Sequence, residues 1–313
     1  MRVSVVICGY TLDRTEVLIA AIDSVLAQTY RPLDVVIVID GNPILHDRIR
    51  QMYGENSSVR IDLVAENRGI SYSRTRGAEL ATGEVVAFID DDAVAEPSWI
   101  AEHVRVYEQT DAVATAGPVL PVWVDTEPAF FPAEFAWLVG CTEPGFAADS
   151  EEIRNGYGSN VSYKREVFLD VGGYDVHTGR KGDRHVQAHE APVGIQIREA
   201  YKQGVLFVED AVVHHTLFDY RGKFRWLLFR SFWQGYSKRV MEQLYPGAQS
   251  VETAFLTDLF GRALPSKAKR TIVERSTVPA KEAIAIVFFT GAVGLGYFYG
   301  VMKRTLMRVN QFF

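Results

Sequence analysis

Cysteine is scarce in these 313 residues: only Cys8 and Cys141 occur, without the spacing of a metal site or a redox pair. That excludes a disulfide framework and a zinc ribbon, and reads as two reduced thiols in a chain facing the cytoplasm. The G-x-x-x-x-G-K-[ST] phosphate loop is missing, and ICGYTLDR after the first apolar run has a single glycine where a dinucleotide fingerprint needs three. The glycines of 291-GAVGLG-296 lie inside an apolar helix, where packing accounts for them. A bound nucleotide would therefore have to be held by something other than a glycine loop. No internal repeat or low-complexity tract is found. Positive charge is in deficit too, since 33 Lys and Arg against 39 Asp and Glu leave a net −6. A surface coated for nucleic acid is not expected from that balance. Met1-Arg2 runs straight into VSVVIC without a small-residue cleavage site, so this stretch reads as a core strand rather than a signal peptide.

What is present is a series of short apolar runs: VSVVIC (3–8), DVVIVID (34–40), EVVAFID (84–90) and the weaker VRIDLV (59–64). Near-continuous Val and Ile imply strands covered on both faces, as in a parallel sheet flanked by helices. Helical patterns over 14–28 and 71–81 separate them. The alternation predicts an α/β doubly wound fold, in which ligands bind beyond the carboxyl ends of the strands. Asp40 and the triplet Asp90-Asp91-Asp92 fall at such ends. Residues 117–158 are rich in Pro, Gly, Phe and Glu and read as long loops of the kind that wall a substrate site. Order returns over 160–175, and 191–208 reads as a helix followed by a strand.

Charge disappears altogether from Ala283 to Met302 (AIAIVFFTGAVGLGYFYGVM). About 20 uncharged, mostly apolar residues suffice to cross a bilayer core as a helix. Tyr297 and Tyr299 suit an interface, and Gly296 and Gly300 are spaced for close helix packing. Basic residues flank both ends, leaving open whether this helix spans or only embeds; the bland alternative is a buried terminal helix. Upstream, 221–245 mixes Arg and Lys with Trp and Phe at helical spacing, the pattern of an amphipathic helix at a membrane interface or of one packed on its own domain. The expected organisation is a catalytic domain over 1–220, a helical membrane-interface segment over 221–280, and a C-terminal membrane helix with a short tail over 281–313. The expected location is the cell membrane, with the catalytic domain on the cytoplasmic side.

Three adjacent carboxylates at the mouth of a core strand call for a cation. Mg²⁺ or Mn²⁺ is commonly held by one or two carboxylates together with phosphate oxygens. A solvated acidic turn is the alternative. The series SVVICGY, DVVIVIDG, ENRGISYSRTRGAELATGEVVAFIDDD and GSNVSYKREVFLDVGGYD resembles family 2 glycosyltransferases of the GT-A fold over roughly residues 3–215. The resemblance implies a nucleotide-diphosphate-sugar donor (a UDP-sugar, UDP-glucuronate among the options), a divalent metal, and inversion at the anomeric carbon. By the family's pattern Cys8, Gly9 and Tyr10 line the base pocket, Asp40 contacts the nucleoside, Arg74 approaches the nucleotide, and Asp90 lies on the ribose side with Asp91 beside it. Asp92 meets the metal, and His215, at the end of 210-DAVVHHT-216, completes its shell. Imidazole is a better ligand for Mn²⁺ than for Mg²⁺.

A sugar hydroxyl attacks only as its proton leaves, and a positioned carboxylate can accept that proton. The family carries an acidic pair before a Gly-containing helix. Here 189-HEAPVGIQIR-198 matches it with His189 in place of the first acid and Glu190 at the base position. A helix N-terminal charge favoured by the dipole is the bland reading of Glu190. Asp183, in 177-HTGRKGDRH-185, is the reserve base. Among family members the chain looks most like archaeal enzymes that extend dolichyl-phosphate-linked glycans, which implies a lipid-linked acceptor at a membrane. Two rivals remain: a sugar-nucleotide nucleotidyltransferase, and a membrane-anchored sugar-binding module without turnover.

Overall fold

The computed structural model describes residues 1–176, 190–245 and 250–309. The reserve base Asp183 and the neighbouring His189 lie outside them. Contacts divide the chain into two units: the first holds Met1–Val122 and most of 145–216, the second Trp123–Pro144 and the chain from Leu217 onward. Residues 123–144 thus group with the C-terminal helices, although they precede much of the α/β unit in sequence.

In the first unit, strands β1 (Val3–Gly9), β2 (Leu33–Asp40), β3 (Val59–Val64) and β4 (Val85–Asp90) alternate with helices α1 (Thr15–Leu26), α2 (Pro43–Tyr53) and α3 (Ile70–Leu80). A short β5 (Ala93–Ala95) and α4 (Trp99–Gln109) follow. Next come β6 (Ala114–Ala116), β7 (Val119–Trp123), β8 (Glu152–Ile153), β9 (Val161–Lys164), α5 (Arg165–Asp170), α6 (Glu190–Tyr201), β10 (Val205–Phe207) and β11 (Val213–Leu217). The main sheet has the order β3-β2-β1-β4-β9-β6-β10-β8, and β5-β11-β7 form a smaller one. β1 pairs in parallel with both β2 and β4. β9 runs antiparallel between β4 and β6.

Every residue of β1 is buried. Its side chains alternate between two cores: Val3, Val5 and Ile7 pack with Leu18, Ile22 and Val25 of α1, while Val6 and Cys8 pack with Ala78 of α3 and Phe168 of α5. A strand walled by helices on both sides needs apolar residues at every position, which is why the run is continuous. Burial of each Val or Ile side chain stabilises by roughly 1.5–3 kcal/mol. α3 rests directly on β1, because a Cβ on Gly77 would come within 2.3 Å of Val6 Cγ1. Only glycine permits that approach, and it sets the height of Arg74 above the sheet.

The second unit is helical: α7 (Phe224–Leu244), α8 (Ser250–Asp258), α9 (Leu264–Val273) and α10 (Val278–Val309), with a tight turn at Ala133–Val139. In α10, Val278–Lys303 is long enough to cross a membrane and contains the uncharged stretch 283–302. Lys267 of α9 is buried between Glu134 at 3.1 Å and Glu282 at 2.7 Å. Phe135 of the turn packs on Phe289 of α10 with ring centroids 5.6 Å apart.

Candidate active site

The strand order reverses at β1, which takes β2 on one side and β4 on the other, and such a switch point opens a crevice at the carboxyl ends. Cys8 and Asp90 stand opposite each other there. Burial raises the Cys8 thiol above its ordinary value in spite of the nearby Arg74, which favours the neutral thiol. Gly9 follows it, and a Cβ there would touch Leu18 at 3.0 Å. Tyr10 turns outward and is 51 % exposed.

Asp40 at the end of β2 is buried, and its two oxygens accept the backbone N–H groups of Arg68 and Gly69, each at 2.8 Å. It therefore shapes the loop entering α3. Gly41 beside it has φ +73°, and a Cβ there would fall 2.4 Å from the Asn67 nitrogen, so the close passage of the two loops requires glycine.

Arg74 of α3 is buried, and its Nη2 donates to Asp90 Oδ1 at 2.5 Å. Its Nη1 is 4.0 Å from Glu190 Oε1, and its Cζ is 5.5 Å from the Tyr174 ring centroid. Burial disfavours the cation, but the Asp90 carboxylate more than compensates and holds Arg74 above its ordinary value. Gly158 makes room, since a Cβ there would lie 2.2 Å from Arg74 Nη1. Glu190 opens α6, and its Oε1 accepts the Gly158 N–H at 3.3 Å. One guanidinium thus links the carboxylate at the end of β4 to the carboxylate at the start of α6.

The other two acids of the triplet form a second cluster. Arg14, at the foot of α1, reaches Asp91 Oδ1 at 3.1 Å and Asp92 Oδ2 at 3.2 Å with the same nitrogen. Asp92 Oδ1 lies 3.1 Å from His215 Nε2, and both side chains are buried. The ladder between β5 and β11 sets this contact: His215 pairs with Ala93 and His214 with Val94. Alternation then sends the neighbouring His214 elsewhere, to Glu96 at 2.6 Å. The Thr216 N–H closes the arrangement on the Asp92 carbonyl at 2.7 Å. Burial first, and then the adjacent Asp92 charge, pushes the Asp91 carboxyl up to about 7 against the pull of Arg14.

A carboxylate oxygen and an imidazole nitrogen that converge at 3.1 Å in a buried site fit two ligands of Mn²⁺ or Mg²⁺. Among the described residues no group of three or more His, Cys, Asp or Glu side chains assembles to hold a metal. Such a pair suits a cation whose other ligands come from phosphate oxygens and water.

Of the ten expected site residues among those described, seven fall into two neighbourhoods of the first unit. Arg74, Asp90 and Glu190 share one, with Cys8 paired to Asp90; Asp91, Asp92 and His215 share the other. Arg14 was not anticipated. Its only signal in the sequence is a lone cation soon after the first strand, at the place where the carboxylates need one. Asn160 was missed as well. Its Oδ1 accepts from Trp99 Nε1 at 2.8 Å and lies 3.1 Å from His103 Nε2, and its Nδ2 donates to the carbonyls of Pro118 and Ala211. It ties α4, β9 and the start of β11 together behind the site.

The glycosyl transferase family 2 pattern matches residues 4–172. Over 308 residues the chain is 54 % identical to the glucosyl-dolichyl phosphate glucuronosyltransferase of Haloferax volcanii, covering 98 % of both. Among solved structures it is similar to the mannosyltransferase PcManGT from Pyrobaculum calidifontis in complex with GDP-Man and Mn²⁺. That likeness has a TM-score of 0.59 at 17 % identity and covers 95 % of this chain and 87 % of that one. It is also similar to S. aureus TarS 1-349 in complex with UDP-GlcNAc, at TM-score 0.51 and 12 % identity, covering 94 % and 82 %.

Proposed function

The chain belongs to glycosyl transferase family 2 and has the GT-A fold, and from that premise we propose that it moves a glucuronosyl group from UDP-glucuronate onto a dolichyl-phosphate-linked glucose. The observation that carries this reading is the pair of carboxylate clusters at the β1/β4 crevice, one converging with an imidazole and one bridged by a guanidinium. The near-identical length and 54 % identity of the Haloferax volcanii relative support the sugar and the acceptor. The uncharged stretch Ala283–Met302 of α10 supports a lipid-linked acceptor at a membrane.

Cys8, Gly9 and Tyr10 face the base and Asp90 the ribose, while Asp40 fixes the loop that delivers Arg74. Asp92 and His215 would hold a divalent cation, which would supply counter-charge for a diphosphate leaving group. Arg14 limits the repulsion between Asp91 and Asp92 and leaves Asp92 Oδ1 turned toward His215. Glu190 takes the proton of the attacking glucose hydroxyl in a single displacement that inverts the anomeric centre. Its carboxylate is held for this through Oε1 by the Gly158 N–H and by Arg74.

The test is turnover of UDP-glucuronate by the purified full chain with Mn²⁺, with and without a short-chain glucosyl polyprenyl phosphate. Release of UDP, accelerated by the acceptor and giving an inverted linkage, is expected. Release of pyrophosphate, or binding without turnover, would reject this reading.

A further inference from the structure

Helices α7 and α10 run parallel and in step. The ring of Phe224 lies 5.4 Å from that of Phe289, and Tyr236 lies 5.9 Å from Tyr299. Between these pairs the backbones nearly touch: a Cβ on Gly296 would fall 1.8 Å from the Phe232 oxygen, and one on Gly235 would fall 1.9 Å from the Val293 oxygen. Further along, Tyr297 Oη donates to Glu242 at 2.5 Å, and Gly300 faces Arg239. Residue numbers climb together on both helices. Whatever depth a residue of α10 takes in a bilayer, its neighbour on α7 takes as well.

By itself the stretch Ala283–Met302 satisfies the length for a span. Its companion does not suit hydrocarbon. Arg225, Arg230, Lys238, Arg239 and Glu242 are distributed along α7. Arg230, two residues before Phe232 and so level with the middle of the apolar stretch, donates from Nε to the Leu138 carbonyl. Leu138 belongs to the tight turn at Ala133–Val139, whose Phe135 packs on Phe289. Charged groups are costly in the bilayer core, and irregular backbone survives there only where protein shields it. A crossing α10 would drag the charges of α7 and this turn in with it.

What α10 offers instead is one apolar face. Ile284, Val287, Phe288, Leu295, Phe298 and Met302 are 49–67 % exposed and, at positions i, i+3, i+4, i+11, i+14 and i+18, share one face of the helix. At 1.5 Å rise per residue the stripe is about 27 Å long. Ala285, Phe289 and Gly296 on the other side are buried. Soluble surfaces rarely leave such a patch uncovered. Exposed Lys281 and Lys303 stand at its two ends, and residues 217–313 hold 15 Lys and Arg against 6 Asp and Glu. A long apolar stripe framed by cations matches an anionic phospholipid surface.

We infer that α7 and α10 form an anchor confined to one leaflet: the pair lies in the plane of an anionic membrane, the α10 stripe sinks among the acyl chains, and neither helix crosses. This rests on the membrane part of the proposed function and adds the topology of attachment.

The experiment uses the full chain in sealed inside-out vesicles from an expression host, with Lys281→Cys and Lys303→Cys made separately. Cys8 and Cys141 are buried, which keeps the parent's background low. A membrane-impermeant maleimide should modify both new cysteines without detergent, to within about twofold of each other, because an in-plane helix keeps both ends on one side. Modification of one end alone, with the other reached only after detergent, overturns the inference and leaves the membrane reading standing. A chain that stays out of the membrane fraction and does not bind vesicles containing phosphatidylglycerol overturns both. In the same vesicle assay Leu295→Glu with Phe298→Glu should weaken binding by about tenfold or more. A lipid-independent dimer that these substitutions dissociate would instead assign the stripe to a second copy and also overturn the inference.

Discussion

Residues 1–216 carry 18 Lys and Arg against 33 Asp and Glu, a net −15, whereas residues 217–313 carry 15 against 6, a net +9. The chain's mild −6 conceals two regions of opposite sign. In the first, key acids gather at strand ends, where neighbours push their charges together and cations such as Arg14 and Arg74 hold them. In the second, positive charge accompanies an apolar surface and acids are few. The proposed chemistry of one region depends on where a handful of carboxylates point; the proposed attachment of the other depends on which face of a helix is left uncovered. Net charge averaged over a chain therefore says little about either partner.

The contrast can be attacked at its strongest point first. Asp92→Ala should lower transfer about 10³-fold while the melting temperature holds or rises, since one member of a buried acidic pair is relieved. Donor turnover and thermal unfolding on the same sample check this, and wild-type turnover would remove Asp92 from the mechanism. Glu190→Gln should cost about 10²-fold or more in transfer with donor affinity kept, read by calorimetric titration of UDP. If Asp183→Asn is the inactive variant instead, the base lies at Asp183.

Behind the site, Asn160→Ala would strand the Trp99 N–H and the Ala211 carbonyl in the interior, while the Pro118 carbonyl keeps the Val213 N–H at 3.1 Å, a loss of roughly 3 kcal/mol. A melting temperature within a degree of the parent would contradict that. His103, buried against Thr115 and Asn160, has a pKa that burial lowers to about 4 from 6.5. Since the unfolded chain binds the proton more readily, the neutral ring's contribution is full above pH 6.5 and is lost as pH falls toward 4. It amounts to roughly 3 kcal/mol at most. Denaturant unfolding at pH 7.5 and pH 5, repeated with His103→Gln, isolates it: the variant should lose less on acidification.

The smallest effect sharpens the comparison from the other side. Gly296→Ala should loosen the helix pair by about 1–2 kcal/mol of overpacking and weaken vesicle binding, yet leave UDP release from soluble donor unchanged. Equal loss of both activities would mean that the two regions are not separable.

How far the sequence could be read follows the same division. β1, β2 and β4 were visible because strands covered on both faces must be apolar throughout, and nothing else in the first hundred residues mimics them. His215 was expected near the metal only from the family resemblance; the structure sets it beside Asp92, and strand alternation turns His214 to Glu96 instead. Arg14 and the antiparallel insertion of β9 were not, since both arise from contacts distant in sequence that leave no local period. Asp40 was expected to meet a nucleoside, and the structure adds that its oxygens already receive two backbone amides. The apolar stretch of α10 was plain, but the charges that run beside it belong to another helix, and a hydropathy window cannot know which neighbour it has.

Asn160 bears on one more matter. With Val161 and Ser162 it forms an N-x-S triplet, the acceptor signal for N-linked glycans, as do Asn56, Ser57 and Ser58. The Asn160 side chain is wholly buried, and its amide nitrogen, the atom a glycan would occupy, already serves two carbonyls. A sugar attached there during synthesis would keep the sheet from closing. Any glycan recovered from folded chain must therefore map to Asn56, on the surface.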